Sequence, residues 1–239
     1  MKRAGIAFSL VLIAGLAYLF GWSSIFSVKK VTINLTDTKV AQEVEGVLAQ
    51  PPATVFIGEK MARVDKRVIS SRLKRLAWVD GVSVSRNFFT GNVTISLASR
   101  VPIAQFAENS GTTKFLSENR EVFSLSKDSI QSATSTNSFD WKNLPILNAP
   151  NPTPEILNEV AAFIREMANE GVALNRIDAA APGEISSTLT ISQQKVEVRW
   201  GSVQDLKLKK RVLDALLAAP ENKKVKKIDL SDPQNPTVK

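Results

Sequence analysis

The feature that most limits this chain lies near its start. The run "AGIAFSLVLIAGLAYLFGWSSIF", Ala4 to Phe26, holds no charged residue over 23 positions. As one helix rising about 1.5 Å per residue it reaches roughly 34 Å, against a hydrocarbon core about 30 Å thick. A membrane-crossing helix over 4–26 is the expectation, with 1–3 as a short cytoplasmic tail. The competing reading is a cleaved secretory signal with Lys2 and Arg3 as its basic region. Signal cores run about 7–15 residues and end at a small-x-small site, whereas this run is longer and leaves through Trp22 and Phe26, residues that suit a membrane interface. Lys2, Arg3 and the amino terminus face Lys29 and Lys30, a balance that narrowly favours a cytoplasmic N-terminus.

The remaining chain is basic. Residues 1–26 hold two of the 31 Lys and Arg and none of the 23 Asp and Glu, leaving 29 basic against 23 acidic residues, a net +6. That surplus attracts anionic lipid or wall polymer modestly. With 44% hydrophobic residues the chain is globular rather than disordered.

Hydrophobic periodicity orders the rest. Val31, Ile33 and Leu35 alternate as a strand, and Val40, Val44, Val47 and Leu48 follow at helical spacing until Pro51 and Pro52. Asp65 stands as N-cap to a second helix with Val68, Ile69, Leu73, Leu76 and Val79 as its stripe. "GVSVSRNF" and "NVTISLASRVPIAQF" alternate as two strands around the turn "TGN", and Pro102 interrupts the second. The order strand, helix, helix, strand, strand closes when two helices cover one face of a three-stranded sheet. Beyond Pro102 come two short strands around Asn119 and Arg120, and a polar stretch over 127–143 that reads as a loop. A proline-punctuated linker leads into a helix carrying Ile156, Leu157, Val160, Phe163, Ile164 and Met167, closed by Gly171. A hairpin, "STLTISQQKVEVRWG", precedes a last amphipathic helix with Leu206, Leu213, Leu216 and Leu217 inward. The end, "VKKIDLSDPQNPTVK", alternates Ile228 and Leu230 with polar neighbours as a terminal strand, and its two prolines forbid any further pairing. Such a strand either completes a sheet or presents an open edge to another chain.

Several chemistries are excluded by composition. With no histidine and no cysteine, the commonest general base, zinc ligand and thiol nucleophile are missing. Ser-x-x-Lys occurs at Ser71/Lys74, Ser27/Lys30, Ser124/Lys127 and Ser192/Lys195, without the companion Ser-Asp-Asn or Lys-Thr-Gly, as chance produces. The pairs Glu43/Glu45 and Glu166/Glu170 read as solvated helix faces. No phosphate-binding glycine loop can be read, so no nucleotide cofactor or small-molecule substrate is expected. A cluster formed by Lys60, Arg63, Lys66, Arg67, Arg72, Lys74 and Arg75 lacks the interleaved aromatics of a nucleic-acid platform, and nucleic acid is not expected as a partner. A second cluster, Lys207, Lys209, Lys210 and Arg211 with Lys223, Lys224, Lys226 and Lys227, either blunts an edge against aggregation or steers an acidic partner.

"FSVKKVTI", "LAWVDGVSVSRNFFTGNVTISLASRVPIAQF", "KVEVRWGSVQDLKLKKRVLDALL" and the closing "KKIDLSDPQNP" together resemble the FtsQ/DivIB family of bacterial cell-division proteins, nearly over the whole chain. The proline-rich ending is similar to actinobacterial members. The resemblance implies an α+β protein: a single N-terminal transmembrane helix, a POTRA domain (βααββ) over 27–101, a mixed β-sheet domain with flanking helices over 102–232 ending in an edge strand, and a tail over 233–239. It implies a non-catalytic, single-pass type II protein of the cell membrane at the division septum, touching membrane lipid. Its implied partners are the FtsB/DivIC-type and FtsL-type coiled-coil proteins and the septal wall synthase complex, with no cofactor and no metal. By position, strand addition by FtsB maps onto Lys226, Lys227, Ile228, Asp229, Leu230 and Ser231, with Lys207, Lys210 and Arg211 nearby. The chain departs from the family at Ser99, where an acidic residue is common, and at Ser231 and Asp232, where some members carry Arg and an aromatic. Two other functions fit parts of the sequence: a signal-anchored wall-polymer binder or hydrolase, and a translocation factor that chaperones polypeptides by strand addition.

Overall fold

Val31 and Ile33 alternate within Lys30–Asn34 (β1), and in the computed structural model β1 runs parallel to Asn92–Ser99 (β3). β3 pairs antiparallel with Val79–Asn87 (β2), giving the order β1-β3-β2. The structure describes residues 11, 15, 18, 26–34, 44–51, 55–107, 112–125, 143–191 and 193–239. Among these, the chain forms two compact units whose boundary falls between Ser99 and Arg100.

The first unit buries one face of its sheet. Val93 and Ile95 of β3 and Val79 of β2 are fully inside, with Ile69 and Leu73 from the helix Lys66–Leu73 (α1) and Val44 and Leu48 from a helical turn at 44–48. Asp65 caps α1 as its sequence position suggests, its Oδ1 accepting from the amides of Arg67 (2.8 Å) and Val68 (3.3 Å). α1 is shorter than its apolar stripe. It ends at Leu73, and Val79 instead opens β2, because a turn at 74–78 redirects the chain before that residue is reached.

The β2–β3 turn is held by Asn87, whose side-chain oxygen accepts from the amides of Phe89 (3.0 Å) and Thr90 (3.1 Å). Gly91 follows with φ +73°, and a Cβ there would lie 2.7 Å from Lys29 Cγ and 2.8 Å from the Ser27 carbonyl. Gly91→Ala combines a left-handed backbone with a backbone clash. It is expected to lower the stability of this unit by about 1–3 kcal/mol in urea unfolding.

The second unit is a nine-stranded mixed sheet in the order β12-β11-β10-β9-β8-β7-β4-β5-β6. Its strands are Pro102–Phe106 (β4), Thr113–Ser117 (β5), Val122–Leu125 (β6), Ile146–Asn148 (β7), Leu174–Ala179 (β8), Ile185–Ile191 (β9), Gln194–Gly201 (β10), Lys227–Asp229 (β11) and Thr237–Val238 (β12). The helices Pro154–Asn169 (α2) and Leu206–Ala218 (α3) contribute to a single core. Phe163 of α2 meets Trp200 of β10 edge-on, with ring centroids 5.5 Å apart, and Met167, Ile177, Val198 and Leu213 belong to the same core.

Three features of this unit differ from the sequence reading. Pro102 does not merely interrupt a strand; β3 and β4 belong to different sheets. β7, three residues inside the expected linker, pairs parallel with both β4 and β8 at the middle of the sheet. The terminal strand is not the last: after Ser231 the chain turns and returns as β12, antiparallel to β11.

The expected transmembrane helix is corrected. Among the described residues no helix is long and apolar enough to cross a membrane. α2, with 16 residues, spans only about 24 Å, and it carries Glu155, Glu159, Arg165 and Glu166 where a span needs about 20 predominantly apolar residues. Most of 4–26 lies outside the described residues; Val11, Gly15 and Tyr18 are helical and exposed. The molecule is α+β with mixed sheets, dominated by the nine strands and containing little helix.

Candidate functional site

The carboxy-terminal edge of the large sheet is built outward from Trp200. This side chain is wholly buried, and its indole N–H donates to Ser187 Oγ on β9 at 2.8 Å, so β10 is fixed to its antiparallel neighbour. β10 then receives β11 in parallel, the amide of Glu197 donating to the Lys226 carbonyl (2.8 Å) and that of Leu230 to the Arg199 carbonyl (2.7 Å). Gly201 ends β10 at φ +69°, where a Cβ would press on Ser231 at 3.2 Å. Only glycine permits that close passage of the turn after β11.

Period-two alternation divides the expected site residues into two sets. Ile228 and Leu230 are buried, 2% and 0% exposed, and belong to the core. Lys226, Lys227 and Ser231 are exposed and Asp229 half-buried. On the outer face Lys227 Nζ meets Glu197 Oε2 at 2.8 Å, and Arg199 faces Asp229 at 3.8 Å. Burial alone pushes the Asp229 carboxyl up. The amide and hydroxyl of Ser231, followed by Arg199 and Lys239, outweigh it and hold the group below the ordinary carboxylate range.

β12 covers the outer side of β11. Val238 stands opposite Ile228 and Thr237 opposite Asp229; the amides of Lys226 and Lys227 both donate to the Lys239 carbonyl at 3.0 Å, and Lys239 N–H donates to the Lys227 carbonyl at 2.8 Å. The connecting turn is pinned by Asp232, which accepts from the Gln234 amide (3.0 Å) and the Asn235 side chain (2.9 Å). A shallow cleft of about 140 Å³ lies between Arg199, Lys227, Asp229, Thr237 and Lys239.

The expected residues on α3 are elsewhere. Lys207 and Arg211 line a second, wider groove of about 490 Å³ with Ala162 and Glu166 of α2, and none of its residues line the first cleft. Lys207 Nζ sits 3.9 Å from Glu166, and Lys210 is held by Asp214 one turn on, at 2.6 Å. The residue that sequence reasoning left among the surface lysines is Lys209. It is 2% exposed, and its ammonium donates to the carbonyls of Trp200 (2.7 Å) and Ser202 (2.9 Å). Burial lowers its pKa and Asp205 acts the other way. Its signal was present: Lys209 lies three residues from Leu206 and four from Leu213, on the inward stripe.

Two other sequence candidates are held locally, while Glu43, Lys127 and Ser192 lie outside the described residues. Ser71 Oγ bonds the Val68 carbonyl one turn back (2.9 Å), and the Arg72 guanidinium donates to the carbonyls of Val47 and Gln50. Among the described residues no group of three or more His, Cys, Asp or Glu could hold a metal ion. The chain matches no protein-family model and no curated protein.

Proposed function

We propose that this protein is a non-catalytic scaffold of the bacterial division septum, of the FtsQ/DivIB kind, and that it works by gripping FtsB/DivIC-type and FtsL-type partners at the carboxy-terminal edge of its large sheet. The observation that carries the reading is that edge itself. It places short strands, β11 and β12, at the border of a nine-stranded sheet, with exposed Lys223, Lys224, Lys226 and Lys227 beside them. Main-chain bonds on such a border supply register, and the lysines favour an acidic segment and speed its approach. The chain's lack of histidine and cysteine supports binding over hydrolysis.

The test is affinity capture from membranes of the source cell, with retained proteins identified by mass spectrometry. Reversing Lys226 and Lys227 to Glu is expected to weaken capture of small coiled-coil division proteins on the order of tenfold, with less dependence on salt. Reversal at Lys207 and Arg211 reads the second groove separately. If the unaltered chain retains no division protein but does retain cell wall, the polymer-binding reading replaces this one.

A further inference from the structure

The border strand β12 is only two residues long, and its charges do not suit its seat. Continuing the register of Val238 opposite Ile228 by one step sets Lys239 opposite Lys227, and the reciprocal backbone bonds between these two residues, 3.0 and 2.8 Å, show that they are a directly opposed pair. Across the three outer strands the rows therefore read Glu197, Lys227, Lys239 and Arg199, Asp229, Thr237. In the first row the outermost cation faces a cation. In an antiparallel pair, directly opposed side chains stand about 4.5–5.5 Å apart at Cβ and diagonal ones about 7–8 Å. Like charges directly opposed in a ladder are destabilising; Lys227 is balanced by Glu197 on its β10 side at 2.8 Å, and Lys239 has a diagonal attraction for Asp229. What suits the seat better is an extended segment with a carboxylate in the place of Lys239 and an apolar residue in the place of Val238. Val238 itself packs against the core.

We propose that residues 237–239 are a displaceable resident strand: they fill the β11 edge in place of an acidic segment of a partner protein, and they leave it when that segment docks. This rests on the docking reading above and adds that the site is occupied by the chain's own segment. The turn over 232–236, pinned by Asp232, keeps the segment close by and so makes it a competitor whose strength is set by Lys239.

The first test needs no partner. Two amidated, acetylated peptides are titrated into the isotope-labelled full chain: residues 232–239 as they stand, and the same with Lys239→Glu. The glutamate peptide is expected to release the amide signals of 237–239 and shift those of Lys226 and Lys227 at about fivefold lower concentration. Overturning results are equal potency of the two peptides, no release by either, or a shift at Thr237 with 237–239 still protected, which means addition outside β12. The second test is capture by the full chain carrying Lys239→Glu. The better-seated resident strand is expected to weaken capture of the division partner about fivefold. Unchanged capture overturns the exchange while leaving the docking reading in place. If the unaltered chain captures no division protein, the docking reading fails, and the peptide titration still decides whether the strand exchanges.

Discussion

Trp200→Ala is expected to lower the unfolding free energy of the second unit by about 3–5 kcal/mol, enough to remove most of the stability of a typical domain. The indole is completely buried, stacks edge-on against Phe163, and donates to Ser187 across the sheet. Its loss leaves a cavity bordered by α2 and frees the Ser187 hydroxyl, itself 1% exposed, from its partner. Three probes separate these contributions in chemical denaturation. Trp200→Phe keeps most of the ring and is expected to lose about half as much, and Ser187→Ala about 1 kcal/mol. The double variant should lose less than the sum, because both changes delete one bond. A loss under about 1 kcal/mol for Trp200→Ala would contradict the packing described.

The second large effect is expected at Lys209. Replacing it with Ala removes a buried hydrocarbon stem and two charge-assisted bonds, and it leaves the carbonyls of Trp200 and Ser202 without that donor. The expected loss is about 2–4 kcal/mol. Lys209→Met restores the stem but not the bonds, so it should recover part of that loss. The pH dependence distinguishes the ammonium from the stem. Burial depresses the folded pKa of Lys209 below 10.5. Between the depressed value and 10.5 the unfolded chain binds more protons than the folded one, so this group adds stability as pH rises through that window. Both variants should lack that rise. If native chain and Lys209→Met respond identically to alkaline pH, the buried charge is not as described.

The same residue shows where sequence reading stops. Lys207, Lys209, Lys210 and Arg211 form one basic run when read linearly. On α3 they diverge: Lys209 enters the core, Lys210 is neutralised by Asp214, and Lys207 and Arg211 face the groove against α2. Helical periodicity assigns each to a face, yet only the end of β10, through the carbonyls of Trp200 and Ser202, makes burial of an ammonium tolerable.

Local patterns determined much of this protein. Asp65 caps α1 because an N-cap acts over three residues, Gly171 closes the turn after α2 at φ +69° because a left-handed backbone needs it, and the alternation of Ile228 and Leu230 with polar neighbours sets both inward. The charge-free run near the start and the missing histidines are equally plain in the sequence, although no described helix crosses a membrane. Tertiary structure alone decided the pairings. β7 has three residues and no recognisable pattern of its own; it is a strand because β4 and β8 lie on either side to satisfy its backbone. β12 is shorter still and follows two prolines that read in the sequence as forbidding further pairing; the pairing forms nonetheless, because a proline outside the ladder forfeits no ladder bond. Whether the strand Lys227–Asp229 forms an open border or an interior strand was therefore beyond the reach of its own residues. The returning segment decides it, through backbone bonds that carry no side-chain signature.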